Sequence, residues 1–217
     1  MSTFATQFVS LLVIEESSEP RTTTHDTRHT THEPRTTKML ETLITSKTRI
    51  KLMLKFFLNS SSTGYLRGLA AEFNESTNAV RPELNRFEAA GLLTSIASGG
   101  KKIYQANTRH PLYGDINSLV RKYVGMDEIL ERVIDELGNP KEVFLIGDLA
   151  RGIDSTDLSI VIVGNDIDLN YLEILVKKAQ QLISRKVGYA VFTQTEFDLQ
   201  YPHLNQENLL RVWQNKG

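Results

Sequence analysis

The stretch from Leu66 to Ala106 switches from helical to alternating hydrophobic spacing at one Gly, and that order constrains the fold more than any other feature. Leu66, Leu69, Ala70 and Phe73 recur at helical spacing, and Asn74-Glu75 makes a tight connection. Ser76 can then cap a further helix that carries Val80, Leu84 and Phe87 on one face and ends before Gly91. Two short runs follow, Leu92 to Ala97 and Lys101 to Ala106, and the Ser98-Gly99-Gly100 between them predicts a β-hairpin. Upstream, Ile50, Met53, Leu54 and Phe57 fall at i, i+3, i+4 and i+7 and predict an amphipathic helix of about a dozen residues. Asn59 to Gly64 breaks it. Pro82 interrupts the third helix, where its ring would clash with the carbonyl four residues back, so that helix is expected to begin near Val80 or to kink there.

Helix, helix, short turn, helix and hairpin, over about residues 40 to 110, resembles the winged helix-turn-helix of bacterial regulators of the ArsR and MarR kind. The residues that carry the resemblance are Leu66-Arg-Gly-Leu-Ala-Ala-Glu-Phe73 and the helix from Ser76 that ends in Ala90-Gly91-Leu92-Leu93 and runs into the wing. It implies double-stranded DNA as partner and, to match paired half-sites, a homodimer.

Charge distribution agrees with a DNA partner only when divided by segment. The 217 residues carry a formal net charge of −1, which argues against a wholesale nucleic-acid or membrane binder. Residues 39–113, however, hold ten Lys or Arg and five Glu, so a basic segment sits on an acidic remainder. Lys101 and Lys102 at the wing, with Arg81 and Arg86 on the third helix, are expected to neutralise phosphates. Thr77, Asn78 and Asn85 are candidates for base edges or phosphates.

Residues 1–38 read differently. From residue 15 onward Thr, His, Arg and Glu dominate, Glu-Pro-Arg-Thr-Thr occurs twice, and a disordered tail is expected. His25, His29 and His32 have the spacing of ligands on one helical face, but a Thr-rich run without an apolar face argues against that helix, and no metal is expected. Phe8 to Ile14 is apolar but has no preceding Lys or Arg and is too short to span a bilayer, so a sticky or docking segment is expected rather than a signal. With no Cys in the chain, thiol chemistry is excluded, and a cytoplasmic location without membrane contact is expected.

After His110-Pro111, helical spacing resumes through Leu112, Ile116, Leu119 and Val120, pauses at Gly125, and continues to Leu137 before Gly138-Asn139-Pro140. This acidic stretch, 114–139, can serve dimerisation or core packing. Val143 to Ile146 and Leu158 to Val163 predict buried strands, Leu172 to Ile183 a long helix, and Tyr189 to Phe192 a third strand. Leu209, Leu210 and Trp213 predict a closing amphipathic helix, with the lone His203 read as packing.

This order, with Gly147-Asp148-Leu149-Ala150-Arg151-Gly152 after the first strand, resembles the minimal nucleotidyltransferase domain of the DNA polymerase β superfamily over about residues 140 to 198. The resemblance implies a turn that holds nucleotide phosphates, here through Gly147, Asp148, Arg151 and Gly152, and two Asp one residue apart on the next strand to bind magnesium. The chain departs from that pattern. Asp148 replaces the usual Ser, Ser159 stands where the second Asp would follow Asp157, and Tyr189 to Phe192 offers no third carboxylate. Asp154, Asp166 and Asp168 could in principle supply one, although Asn165 to Asp168 is explained by a polar turn and helix cap.

The expectation is therefore an α+β protein. It has a disordered tail (1–38), a winged helix-turn-helix domain (39–113), a helical linker or dimerisation segment (114–139) and a degenerate nucleotidyltransferase-like α/β domain (140–217). It is read as a DNA-binding transcriptional regulator, a homodimer without catalytic residues, metal or cofactor and with any nucleotide or small-molecule effector unassigned. The alternative is an enzyme that transfers a nucleotide to a protein or small molecule.

Overall fold

In a computed structural model, which describes residues 42, 44–137, 140–183, 185–201 and 208–215, the chain is a mixed α+β protein with two separate sheets. The apolar segment 8–14, the three histidines and His203 lie outside the described residues.

The first helix, α1 (Lys47–Met53), is capped by Ser46, whose Oγ accepts from Arg49 N, and continues as a π-helical turn over Leu54–Leu58. Ile50, Met53, Leu54 and Phe57 are all buried, as their spacing requires. The segment after it is not all loop. Thr63–Tyr65 forms a short strand, β1, that adds antiparallel to the hairpin, although three residues with a central Gly carry no alternation that would announce it.

Next come α2 (Leu66–Glu72) and α3 (Thr77–Ala89), with Asn74 in the left-handed region between them. Ser76 Oγ accepts from Ala79 N, so the expected cap is present. Ser76→Ala is expected to cost about 1 kcal/mol, readable as a lower urea midpoint. The helix begins at Thr77, not near Val80: Pro82 lies one turn inside, and the backbone carbonyl it leaves without a donor belongs to Asn78, an exposed residue that water can satisfy.

Strands β2 (Leu93–Ser98) and β3 (Lys101–Ala106) pair antiparallel, with Ser98 opposite Lys101. The two connecting residues, Gly99 and Gly100, have φ of 55° and 72°, the double positive φ of a type I′ turn. The small sheet has the order β1-β3-β2.

Helix α4 (Tyr113–Val124) ends at Gly125, whose φ is 80°, and α5 (Met126–Ile129) continues as a second π-helical turn over Leu130–Ile134. Val120, Val124, Met126, Ile129, Val133 and Ile134 are buried within the monomer, so this apolar stripe is spent on the chain's own core. Leu112 and Leu119 remain exposed on α4.

The second sheet contains β4 (Pro140–Ile146), β5 (Asp157–Gly164), β6 (Lys186–Phe192) and β7 (Leu209–Gln214) in the order β6-β5-β4-β7. β4 runs antiparallel to both neighbours, and β5 and β6 are parallel, joined by α6 (Leu169–Gln180). Alternation explains the continuous apolar runs. Val143, Leu145, Leu158, Ile160 and Ile162 enter the main core, while Phe144, Val161 and Val163 face a smaller cluster with Phe197 of α7 (Gln194–Gln200). The expected closing helix is instead β7: Leu209 faces one cluster and Leu210 the other, and the free edge of β4 offers a ladder that a helix would leave unpaired.

The main core is continuous from Ile50 in α1 through α3, α4 and α5 to the β4-β5 face and α6. The two sheets are therefore held by one shared interior.

Candidate functional site

Helix α3 buries Val80, Leu84 and Phe87. At i, i+3 and i+7 on its outer side, Asn78, Arg81 and Asn85 are exposed, and Thr77 is half-buried at the helix start. The remaining residues expected to meet DNA are exposed as well, but they differ in partners. Arg86 Nη1 donates to Glu83 Oε1 at 2.9 Å, and Lys102 Nζ donates to Glu88 Oε2 at 2.6 Å. Lys101 Nζ lies 4.4 Å from the centroid of the Tyr65 ring, a cation-π contact that joins the hairpin tip to the strand leading into α2.

The acidic residues of this half act as internal braces. Glu83, 6% exposed, receives Arg49 Nε at 2.9 Å, Arg86 and the hydroxyl of Ser46, so it fixes α3 to the start of α1. Burial pushes the Glu83 carboxyl up, but the hydrogen bonds and charge of Arg49, with Ser46 and Arg86, outweigh it and hold it below the usual carboxylate range. Glu75 is lowered in the same way: burial opposes, and the bonds from Lys51 and Thr48 prevail. Glu88 is lowered by the bonds from Lys102 and Ser95, which tie the end of α3 to both strands of the hairpin, and Lys102 is raised by Glu88 in return.

Glu72, Glu75, Glu83 and Glu88 thus occupy Arg49, Lys51, Lys55, Arg86 and Lys102. Among the described residues, Lys47, Arg67, Arg81, Lys101 and Arg109 have no acidic partner. By residue type and position alone, Arg86 and Lys102 belong with Arg81 and Lys101. The i, i+3 spacing of Glu83 and Arg86 was a readable sign of the first pairing, whereas the Glu88 contacts depend on how the hairpin folds back.

The Gly147–Gly152 turn forms a single 3-10 turn over Leu149–Arg151. Gly147 and Gly152 have φ of 75° and 74°. Their surroundings differ: a Cβ on Gly147 would meet nothing within 4 Å, while one on Gly152 would lie 2.5 Å from Lys55 Cα and 2.8 Å from Leu54 O. Asn59 Nδ2 donates to Ala150 O at 2.9 Å, and Lys55 Nζ donates to Arg151 O at 3.1 Å. One side of the turn is thus packed on the π-helical turn after α1. Its outward side chains, Asp148 and Arg151, pair with each other.

The acidic residues of this half are dispersed. Asp157 accepts from Thr156 Oγ1 and stands opposite Lys186 in the β5-β6 register, and Tyr189 to Phe192 pair with Ile160 to Val163. Asp168 caps α6, accepting from Asn170 N and Tyr171 N, and Asp154 pairs at 2.9 Å with Arg185, whose side chain is nearly buried over the Tyr123 ring. Among the described residues no group of three or more His, Asp or Glu side chains is placed to share a metal ion. No described helix is long and apolar enough to cross a membrane.

Comparison of the chain with family models, with curated proteins and with solved structures found no match.

Proposed function

We propose that residues 39–113 form a winged helix-turn-helix that binds double-stranded DNA, with α3 in the major groove and the β2-β3 hairpin as the wing, and that the chain acts as a homodimeric transcriptional regulator. The observation that carries this reading is the exposed line Asn78-Arg81-Asn85 on α3 together with Lys101, where Arg81 and Lys101 have no acidic partner among the described residues. A polar helix face flanked by uncompensated cations suits base edges bordered by phosphates. Residues 140–217 are read as a nucleotidyltransferase-like body without transfer activity, a reading supported by Ser159 standing where the second magnesium-binding Asp would be needed and by the absence of a carboxylate from Tyr189 to Phe192.

The test is DNA binding across a salt series. Arg81→Ala and Lys101→Ala are each expected to weaken binding and to flatten the dependence of log affinity on log salt by about one phosphate contact. Arg86→Ala and Lys102→Ala should flatten it less, because Glu83 and Glu88 already neutralise those cations. Retention of no DNA fragment by the intact protein at low salt would sink the reading. Magnesium-dependent incorporation of labelled nucleotide, abolished by Asp157→Ala, would favour the transferase instead.

A further inference from the structure

We propose that Lys55 is a positioning residue that couples α2 to the Gly147–Gly152 turn, so that displacement of one is transmitted to the other; its consequence for DNA binding rests on the function proposed above. Lys55 is 9% exposed, and its ammonium spans two elements far apart in sequence: Glu72 Oε1 of α2 at 3.0 Å and Arg151 O of the turn at 3.1 Å. A buried ammonium needs every one of its few partners: loss of Glu72 leaves its charge uncompensated, and loss of the Arg151 carbonyl leaves one of its N–H groups without an acceptor.

The surrounding backbone makes the link stiff. Lys55 lies in the π-helical turn, and Gly152 meets this backbone so closely that no side chain fits between them. Asn59, 1% exposed, closes the same contact with its bond to Ala150 O and orders the next segment by accepting from Ser61 N. Among the described residues Glu72 pairs with no other cation. The end of α2 is therefore steered by the α/β half through one side chain, and although Lys55 belongs to the basic segment, its ammonium is turned inward, away from any phosphate.

The test uses the full chain in amide hydrogen exchange, comparing wild type with Lys55→Met, which keeps the apolar stem. Exchange is expected to quicken about tenfold both at residues 66–72 and at Arg151, Gly152 and Ile153, while α6 stays unchanged. Glu72→Gln approaches the link from its partly exposed end and should give the same paired pattern if Lys55→Met folds poorly. Val143→Ala weakens the β4 core without touching Lys55 and serves as control. Acceleration on one side alone, or the same paired pattern in Val143→Ala, would overturn the coupling.

A second readout separates positioning from direct contact. Lys55→Met should lower DNA affinity with an unchanged salt dependence, and a slope reduced by one contact would make Lys55 a phosphate ligand and overturn the assignment. Should wild type not bind DNA at all, the proposed function fails and the exchange measurement still decides the coupling.

Discussion

Gly152→Ala is expected to destabilise the protein by about 3 kcal/mol, roughly 1 from the left-handed backbone and the rest from overpacking. The added methyl would sit 2.5 Å from Lys55 Cα and 2.9 Å from Lys55 O, and backbone atoms cannot rotate aside as a flexible side chain would. Gly147→Ala is the matched control. Its φ of 75° imposes the same conformational cost, but open space surrounds the new methyl, so about 1 kcal/mol is expected. Urea unfolding followed by circular dichroism reads both variants. Equal losses would mean that the turn is not clamped on the π-helical segment.

The second large effect is expected at Glu83 and depends on pH. Glu83→Gln should cost about 2 kcal/mol at neutral pH; breaking a fully buried pair costs more, but Arg49 and Arg86 are partly exposed and water compensates them. The folded carboxyl titrates below its ordinary value of 4.5, so its contribution is complete above that pH and is lost as pH falls through the lower, folded value. Wild type and variant should therefore differ most near neutral pH and converge in acid. A gap that stays constant from neutral pH into acid would remove the ion pair as its cause.

Much of the fold was legible because it depends on neighbours in sequence. The four apolar residues of α1, the Ser76 cap, the Gly99-Gly100 turn and the two-faced strands β4 and β5 each follow from a local rule, and each is present. The errors share a cause as well. Leu209 to Trp213 fits a short helix or a short strand equally, and the free edge of β4 selected the strand. Pro82 was tolerated inside α3 because the carbonyl it orphans is on an exposed residue.

The candidate site divides the same way. Helical period placed Asn78, Arg81 and Asn85 on one exposed face, which needs nothing beyond the helix itself. Apart from Arg86, three residues from Glu83, the paired cations could not be read from residue order, since Arg49 meets Glu83 and Lys102 meets Glu88 only after α1 and the hairpin pack on α3.

Residue order alone was enough for the helices and hairpin of the basic segment, the strands β4 to β6 and the segregation of charge, because spacing, charge and residue type are properties of the chain in any conformation. The fate of the Gly147–Gly152 turn was not among them. The resemblance implied a turn that holds phosphates; what the folded protein adds is that Gly152 lies against the backbone of Lys55, a residue 97 positions earlier in the chain. Glycine states only that something must approach closely, and folding brings the neighbour that does.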